Sequence, residues 1–151
     1  MDRYRKINRG VILASDHAGY KLKEEVKKFL IRKKKKVLDL GTKSAGSVDY
    51  PDYAHLLSKK IRKSKNQLGI LICGTGIGMS MAANKHKNIR AALCYNIKTT
   101  KLSREHNDAN VMAIGARTTK KNTALKCVNT FLKTDFDGGL RHLRRIKKIY
   151  F

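Results

Sequence analysis

The stretch GILICGTGIGMSMAANK, Gly69–Lys85, carries an apolar segment straight into three glycines at alternate positions, with Cys73 at the junction. Ile70 to Cys73 has the length and composition of a strand buried on both faces. Gly74, Gly76 and Gly78 then form a turn, and a helical pattern runs from about Ile77 to His86. A strand that turns at once into a helix is the repeating unit of a parallel sheet. The fold therefore depends on whether the rest of the chain repeats it.

It does, in both directions. Upstream, Val11 to Ala14 is a short apolar run, followed by a helix whose Leu22, Val26, Phe29 and Leu30 make one stripe. Val37 to Leu40 is the next strand, and Ala54, Leu57 and Ile61 mark the helix after it, entered through DYPDYAH with the chain's only proline. Downstream, Ala91 to Cys94 and Val111 to Ile114 are strands; helical patterns follow at about Thr99 to His106 and Asn122 to Leu132. Five short strands, each followed by a helix, predict a doubly wound, Rossmann-like five-stranded parallel sheet in a three-layer α/β/α sandwich. One domain is expected over residues 1–151, with the segment from Asp135 to Phe151 packing on a neighbouring subunit. Ligands of such sheets bind at the carboxyl ends of the strands, which gives meaning to Asp16 and His17, to Cys73 through Gly78, and to Arg117.

Composition narrows the function. A chain of 151 residues suits one domain with a real core, and no apolar run is long enough to span a membrane. The basic start, MDRYRKINRG, precedes only the short VILA and does not read as a signal peptide, so a cytoplasmic protein is the expectation. Cys73, Cys94 and Cys127 lie 21 and 33 residues apart with no C-x-x-C, which argues against a disulfide framework and a zinc site. The net charge of +24 invites a nucleic-acid reading. The lysines and arginines are spread over every helix pattern without interleaved aromatics, however, and Arg32 to Lys36 is the densest block. A solvated lysine-rich surface is the expectation, not a nucleic-acid partner.

The glycine turn fails both nucleotide tests. A dinucleotide site needs G-x-G-x-x-G and an acidic residue about 20 positions on, whereas the spacing here is G-x-G-x-G and the next acid is Glu105. A P-loop needs a lysine after its second glycine, and GTKSAGS, Gly41–Ser47, lacks it. The remaining reading is an anion nest at a helix N-terminus, holding a phosphate or a developing oxyanion. A thiol at its rim is expected to give up its proton readily, although Cys73 is also what a buried strand would carry.

Other clusters have ordinary readings when taken alone. Asp16 suits a helix cap, and His17 a hydrogen-bonded loop. SREHNDANV, Ser103–Val111, ends a helix with residues that commonly cap one. In RHLRRIKK, Arg141 and Arg145 share a helical face suited to a phosphate, and equally a solvated basic surface.

Taken together, the segments SDHAGYKLK, GT…DYPDYA, GILICGTGIGMSMAANK, IRAAL, LSREHNDANVMAIGAR and GG.RH..RR resemble, in order and over nearly the whole chain, the B-type ribose-5-phosphate isomerases. That family also includes the galactose-6-phosphate isomerase subunits. The resemblance implies that Cys73 is the enediol base, where some relatives use a nearby glutamate, and that His106 is the acid/base that opens the sugar ring. It implies substrate contacts at Asp16, His17, Asn107, Arg117, Arg141 and Arg145, at the Thr75 hydroxyl and at the backbone of Gly74, Gly76, Ile77 and Gly78, with Tyr50 walling the sugar. It further implies a homodimer or homotetramer with shared active sites, and neither metal nor organic cofactor. Two departures from the family pattern stand out. Leu140 separates Gly139 from Arg141, and YNIKTT, Tyr95–Thr100, lacks the usual acidic or aromatic residues.

The chemistry is coherent with that set. Aldose–ketose interconversion needs the furanose opened, a proton moved between adjacent carbons and the enediolate oxygen stabilised. A histidine suits the first step, a thiolate the second, backbone N–H groups the third, and arginines hold the phosphate. Three readings remain: a ribose-5-phosphate isomerase, a hexose-6-phosphate isomerase on the same scaffold, and a basic nucleic-acid-binding protein without catalysis.

Overall fold

The computed structural model describes residues 9–64 and 66–150; residues 1–8, 65 and 151, which include most of the basic N-terminal stretch, lie outside the described residues. Five strands alternate with helices: β1 (Gly10–Ser15), α1 (Tyr20–Arg32), β2 (Val37–Asp39), α2 (Tyr50–Arg62), β3 (Gln67–Cys73), α3 (Ile77–Ala83), β4 (Ala91–Leu93), α4 (Ile97–Asn107), β5 (Val111–Gly115) and α5 (Lys121–Lys133). A last helix, α6 (Leu140–Lys147), closes the described chain. All strands are parallel, in the order β2-β1-β3-β5-β4. No helix among the described residues is long and apolar enough to cross a membrane.

The order follows from crossover handedness. Steps from β1 to β2 and from β4 to β5 move one way across the sheet, and steps from β2 to β3 and from β3 to β4 move the other. Right-handed crossovers therefore place α1 and α4 on one face and α2 and α3 on the opposite face. The cores agree. Val11, Leu13, Ile70, Ile72, Met112 and Ile114 point to one layer, where Leu22, Val26 and Leu30 of α1 meet Val128 and Phe131 of α5. Their alternates Ile12, Ala14, Leu71, Cys73, Val111 and Ala113 meet Ala54, Leu57 and Ile61 of α2 and Met79 and Ala83 of α3. The direction of winding reverses between β1 and β3, which puts the ligand crevice outside their carboxyl ends.

Three details depart from the sequence pattern. The expected strands Val37 to Leu40 and Ala91 to Cys94 each end one residue early, yet Leu40 still donates to Leu13 O and Cys94 to Ala113 O, both at 2.9 Å. Helix α3 stops at Ala83, short of His86. Asn84 takes both sides of the Ala91 backbone, donating to its carbonyl at 2.9 Å and accepting its N–H at 2.8 Å, so the side chain ends the helix by tying it to β4. Lys23, in what reads as a basic surface stripe, is fully buried, with its ammonium 2.6 Å from Glu24 Oε1 and 2.7 Å from Asp39 Oδ2.

The tail expected to reach a neighbour is anchored on its own chain. Asp137 N–H donates to Glu105 O at 3.2 Å, and the Tyr150 hydroxyl donates to Ile89 O at 3.2 Å. Its outer side, with Leu140 84% exposed and Arg141, Arg144 and Arg145 in solvent, faces away from the domain.

Candidate active site

At the carboxyl edge of the sheet the chain builds a compact polar floor. Asp16 leaves β1 buried, and its Oδ1 accepts the Gly19 N–H at 3.0 Å, closing the turn into α1. Gly19 is needed there, since a Cβ would fall 2.2 Å from Ile72 O. His17 Nδ1 lies 3.2 Å from both the N–H and the carbonyl oxygen of Val48, tying β1 to the loop before α2. That loop is held from below, where Asp39 Oδ1 accepts the Gly41 N–H at 2.9 Å while Oδ2 takes Lys23 and Lys27, each at 2.7 Å.

The glycine turn lies at the centre. Cys73 is 4% exposed, and the Gly76 N–H donates to its Sγ at 3.1 Å. Gly76 achieves this at φ +78°, in the left-handed region, where a Cβ would also meet Leu93 and the backbone of Ile114. Thr75 is exposed at the rim and its Oγ1 accepts the Ile77 N–H at 3.3 Å, inside the first turn of α3. The turn is latched to the end of β5, because Ala116 N–H donates to Cys73 O at 2.8 Å and Arg117 N–H to Gly74 O at 2.9 Å. Arg117 folds back, so that a Cβ on Gly74 would lie 3.2 Å from its guanidinium Nη1. Tyr50, the first residue of α2, closes the other side, and a Cβ on Gly78 would lie 2.5 Å from its ring. Asp16, His17, Tyr50, Cys73, Gly74, Thr75, Gly76, Ile77, Gly78 and Arg117 thus share one edge. A cavity of about 570 Å³ opens beside Val48 and Tyr53, but none of these residues lines it.

The three cysteines separate by environment. Burial pushes the Cys94 thiol up to about 11 and raises that of Cys127 as well, so both are inert core residues. Among the described residues, Cys73 is the cysteine whose sulfur accepts a turn N–H.

The other predicted residues stand at the opposite edge. His106 and Asn107 end α4, and Asp108 caps it at φ 44°. The corner is rigid, since Asp108 carboxylate oxygens take Arg104 at 2.9 Å and Arg90 at 3.1 Å, and Arg90 also donates to the carbonyls of Asn107 and Asp108. Buried Arg104 spans onward to Thr134 O at 3.1 Å. Helix α6 packs on this corner with Arg141 and Arg145 exposed on one face. Leu140 is accommodated as the first helical residue, after Gly139 at the cap.

His142, which sequence reasoning passed over for its arginine neighbours, turns inward at 8% exposure and stacks on His106 with ring centroids 4.3 Å apart and planes 10° from parallel. The signal for it was helical phase, because the residue after Arg141 lies about 100° round the helix. Asp137 joins the two histidines, and among the described residues these three bring one donor atom each within 4.8 Å of the others.

One chain does not bring the two clusters together. Gly115 is level with Cys73 and Val111 with Gly69, and His106 precedes Val111. The four residue steps of β5, at about 3.3 Å each, separate the two edges by about 13 Å. Cys73 and His106 are halves of different edges.

Nearly the whole chain is similar to known proteins. The family described as Ribose/Galactose Isomerase matches residues 11–149. A ribose-5-phosphate isomerase B of Escherichia coli (strain K12) is 40% identical over 139 residues, covering 92% of this chain and 93% of that protein. Among solved structures, a ribose 5-phosphate isomerase of Thermotoga maritima superposes with a TM-score of 0.91 at 49% identity, covering 93% of this chain and 97% of that one. The ribose 5-phosphate isomerase B of Anaplasma phagocytophilum gives 0.89 at 48% identity, covering 95% and 97%.

Proposed function

The chain belongs to the ribose/galactose isomerase family and is a sugar-phosphate isomerase, and from that premise we propose that it interconverts ribose 5-phosphate and ribulose 5-phosphate through a cis-enediolate. The observation that carries the reading is the Cys73 sulfur held against the Gly76 N–H in a turn with Arg117 folded over it. A thiolate there takes the C2 proton and returns it to C1, while turn N–H groups and the Thr75 hydroxyl stabilise the enediolate oxygen. Asp16, His17, Tyr50 and Asn107 orient the sugar. Arg117, Arg141 and Arg145 hold the phosphate away from the reacting carbons and supply orienting energy.

His106 opens the furanose ring by proton transfer at the ring oxygen, a task suited to an imidazole near neutral pH. Since it occupies the edge opposite Cys73 in its own chain, the complete site pairs the Cys73 edge of one subunit with the His106 and α6 edge of another. The minimal assembly is a homodimer.

The test is isomerisation of ribose 5-phosphate by wild type, Cys73→Ala and His106→Ala. Cys73→Ala is expected to lower kcat by about a hundredfold or more. His106→Ala is expected to lose activity on the cyclic sugar and keep it on an open-chain substrate. Activity that survives Cys73→Ala removes the thiolate mechanism, and faster turnover of galactose 6-phosphate or allose 6-phosphate than of ribose 5-phosphate reassigns the substrate to hexoses.

A further inference from the structure

Among the described residues, one group of three metal-ligating side chains stands together: His106 at the end of α4, Asp137 before α6, and His142 on α6. One donor atom from each lies within 4.8 Å of the others. The group is organised by backbone. Asp137 is pinned to α4 through its N–H to Glu105 O, and its Oδ1 accepts the Gly139 N–H at 2.8 Å, which leaves Oδ2 turned toward His142 Nε2 at 3.5 Å. His142 is nearly buried, His106 half-buried, and the Asp137 side chain 41% exposed, so the carboxylate side is an open way in.

We propose that His106, Asp137 and His142 form a binding site for a borderline divalent cation such as Zn²⁺ or Co²⁺, with water in the fourth position. Two imidazoles and one carboxylate select such ions over Mg²⁺ or Ca²⁺, which prefer all-oxygen shells. Near-parallel stacked rings cannot both aim an in-plane nitrogen lone pair at one ion, so binding requires the two rings to turn out of their stack. The one carboxylate favours the cation, and the arginines of α6 oppose the added charge and weaken its binding. The ion inhibits, because it occupies the imidazole lone pair that proton transfer needs. That consequence rests on the role proposed for His106; the binding itself does not.

The experiment is a Co²⁺ titration of the full chain followed by visible absorption. One ion per chain with the strong bands of four-coordinate cobalt is expected. Asp137→Asn keeps the oxygen that accepts the Gly139 N–H yet loses the anionic ligand, and it should weaken binding by about tenfold or more, as should His142→Gln. Binding should also fall as the imidazoles protonate in acid. No saturation by millimolar Co²⁺, equal binding by both variants and wild type, or a thiolate-to-cobalt band that places the ion on cysteine overturns the proposal. Zn²⁺ should inhibit isomerisation with a midpoint that Asp137→Asn raises. Cobalt binding with these signatures but without inhibition upholds the site and instead removes His106 from the mechanism.

Discussion

Two glycines of one turn illustrate how a residue's neighbours decide what its substitution does. At Gly76 the backbone needs φ +78° and a Cβ would press to 2.7 Å from Leu93 Cδ1 and 2.9 Å from the Ile114 carbonyl carbon. The Leu93 side chain can turn aside, but the left-handed φ stays strained and the contact with the Ile114 backbone is relieved only by moving β5. Gly76→Ala should therefore destabilise the fold by about 2 kcal/mol or more and lower Tm by about 4–8 °C. At Gly78 the obstruction is the ring of Tyr50, a side chain 40% exposed and free to swing into solvent. Gly78→Ala should leave Tm within about a degree or two and, if Tyr50 has the sugar-walling role proposed for it, raise KM by moving that ring. Thermal melts beside steady-state kinetics distinguish the two, and equal Tm losses would show that Tyr50 is not the yielding partner.

At the scale of elements, the loop that carries the His17 contact and leads to Tyr50 depends on a partly buried charge cluster between α1 and β2, built around buried Lys23. Burial alone would raise the Asp39 carboxyl, but hydrogen bonds from Lys23 and Lys27 and from the Gly41 N–H outweigh it and hold the group below its ordinary value. Glu24 is lowered as well, chiefly by its hydrogen bond from Lys23. A carboxylate depressed in the folded state adds stability that is fully present above its unfolded value, about 4, and is lost as pH falls through the lower folded value. Urea midpoints should therefore drop on acidification below about pH 4, and Asp39→Asn should flatten that dependence while destabilising the protein at pH 7 by about 1–3 kcal/mol. An unchanged acid limb in Asp39→Asn would place the loss elsewhere. Helix α6 behaves differently. Arg141 and Arg145 are exposed, so replacing either by Ala should leave stability within about 0.5 kcal/mol and raise KM for the sugar phosphate several-fold.

At the scale of the molecule, the separation of Cys73 from His106 by the length of β5 makes a mixing prediction. Cys73→Ala and His106→Ala are each expected to be nearly inactive. When the two are unfolded together and refolded in equal amounts, half the dimers are hybrids, and each hybrid has one intact site, so activity should return to about a quarter of wild type. No recovery would mean that each site draws both residues from one subunit after rearrangement. The strands, their alternation with helices, and the glycine turn were legible in sequence because short apolar runs and helical stripes are local patterns that the core then obeys. The setting of Cys73, at a strand end beside the glycine turn, was legible too, since its neighbours in sequence are its neighbours in space. Lys23 was not, because its burial depends on Asp39 arriving from the next strand. Nor was His142, whose partner His106 lies on another helix. The sequence by itself determined a parallel α/β fold and, through its resemblance to a family, nominated the candidate site residues. Only the tertiary structure decided that those residues occupy two edges of one sheet, because parallel strands fix which end of each strand faces which way, and a local pattern carries no record of that.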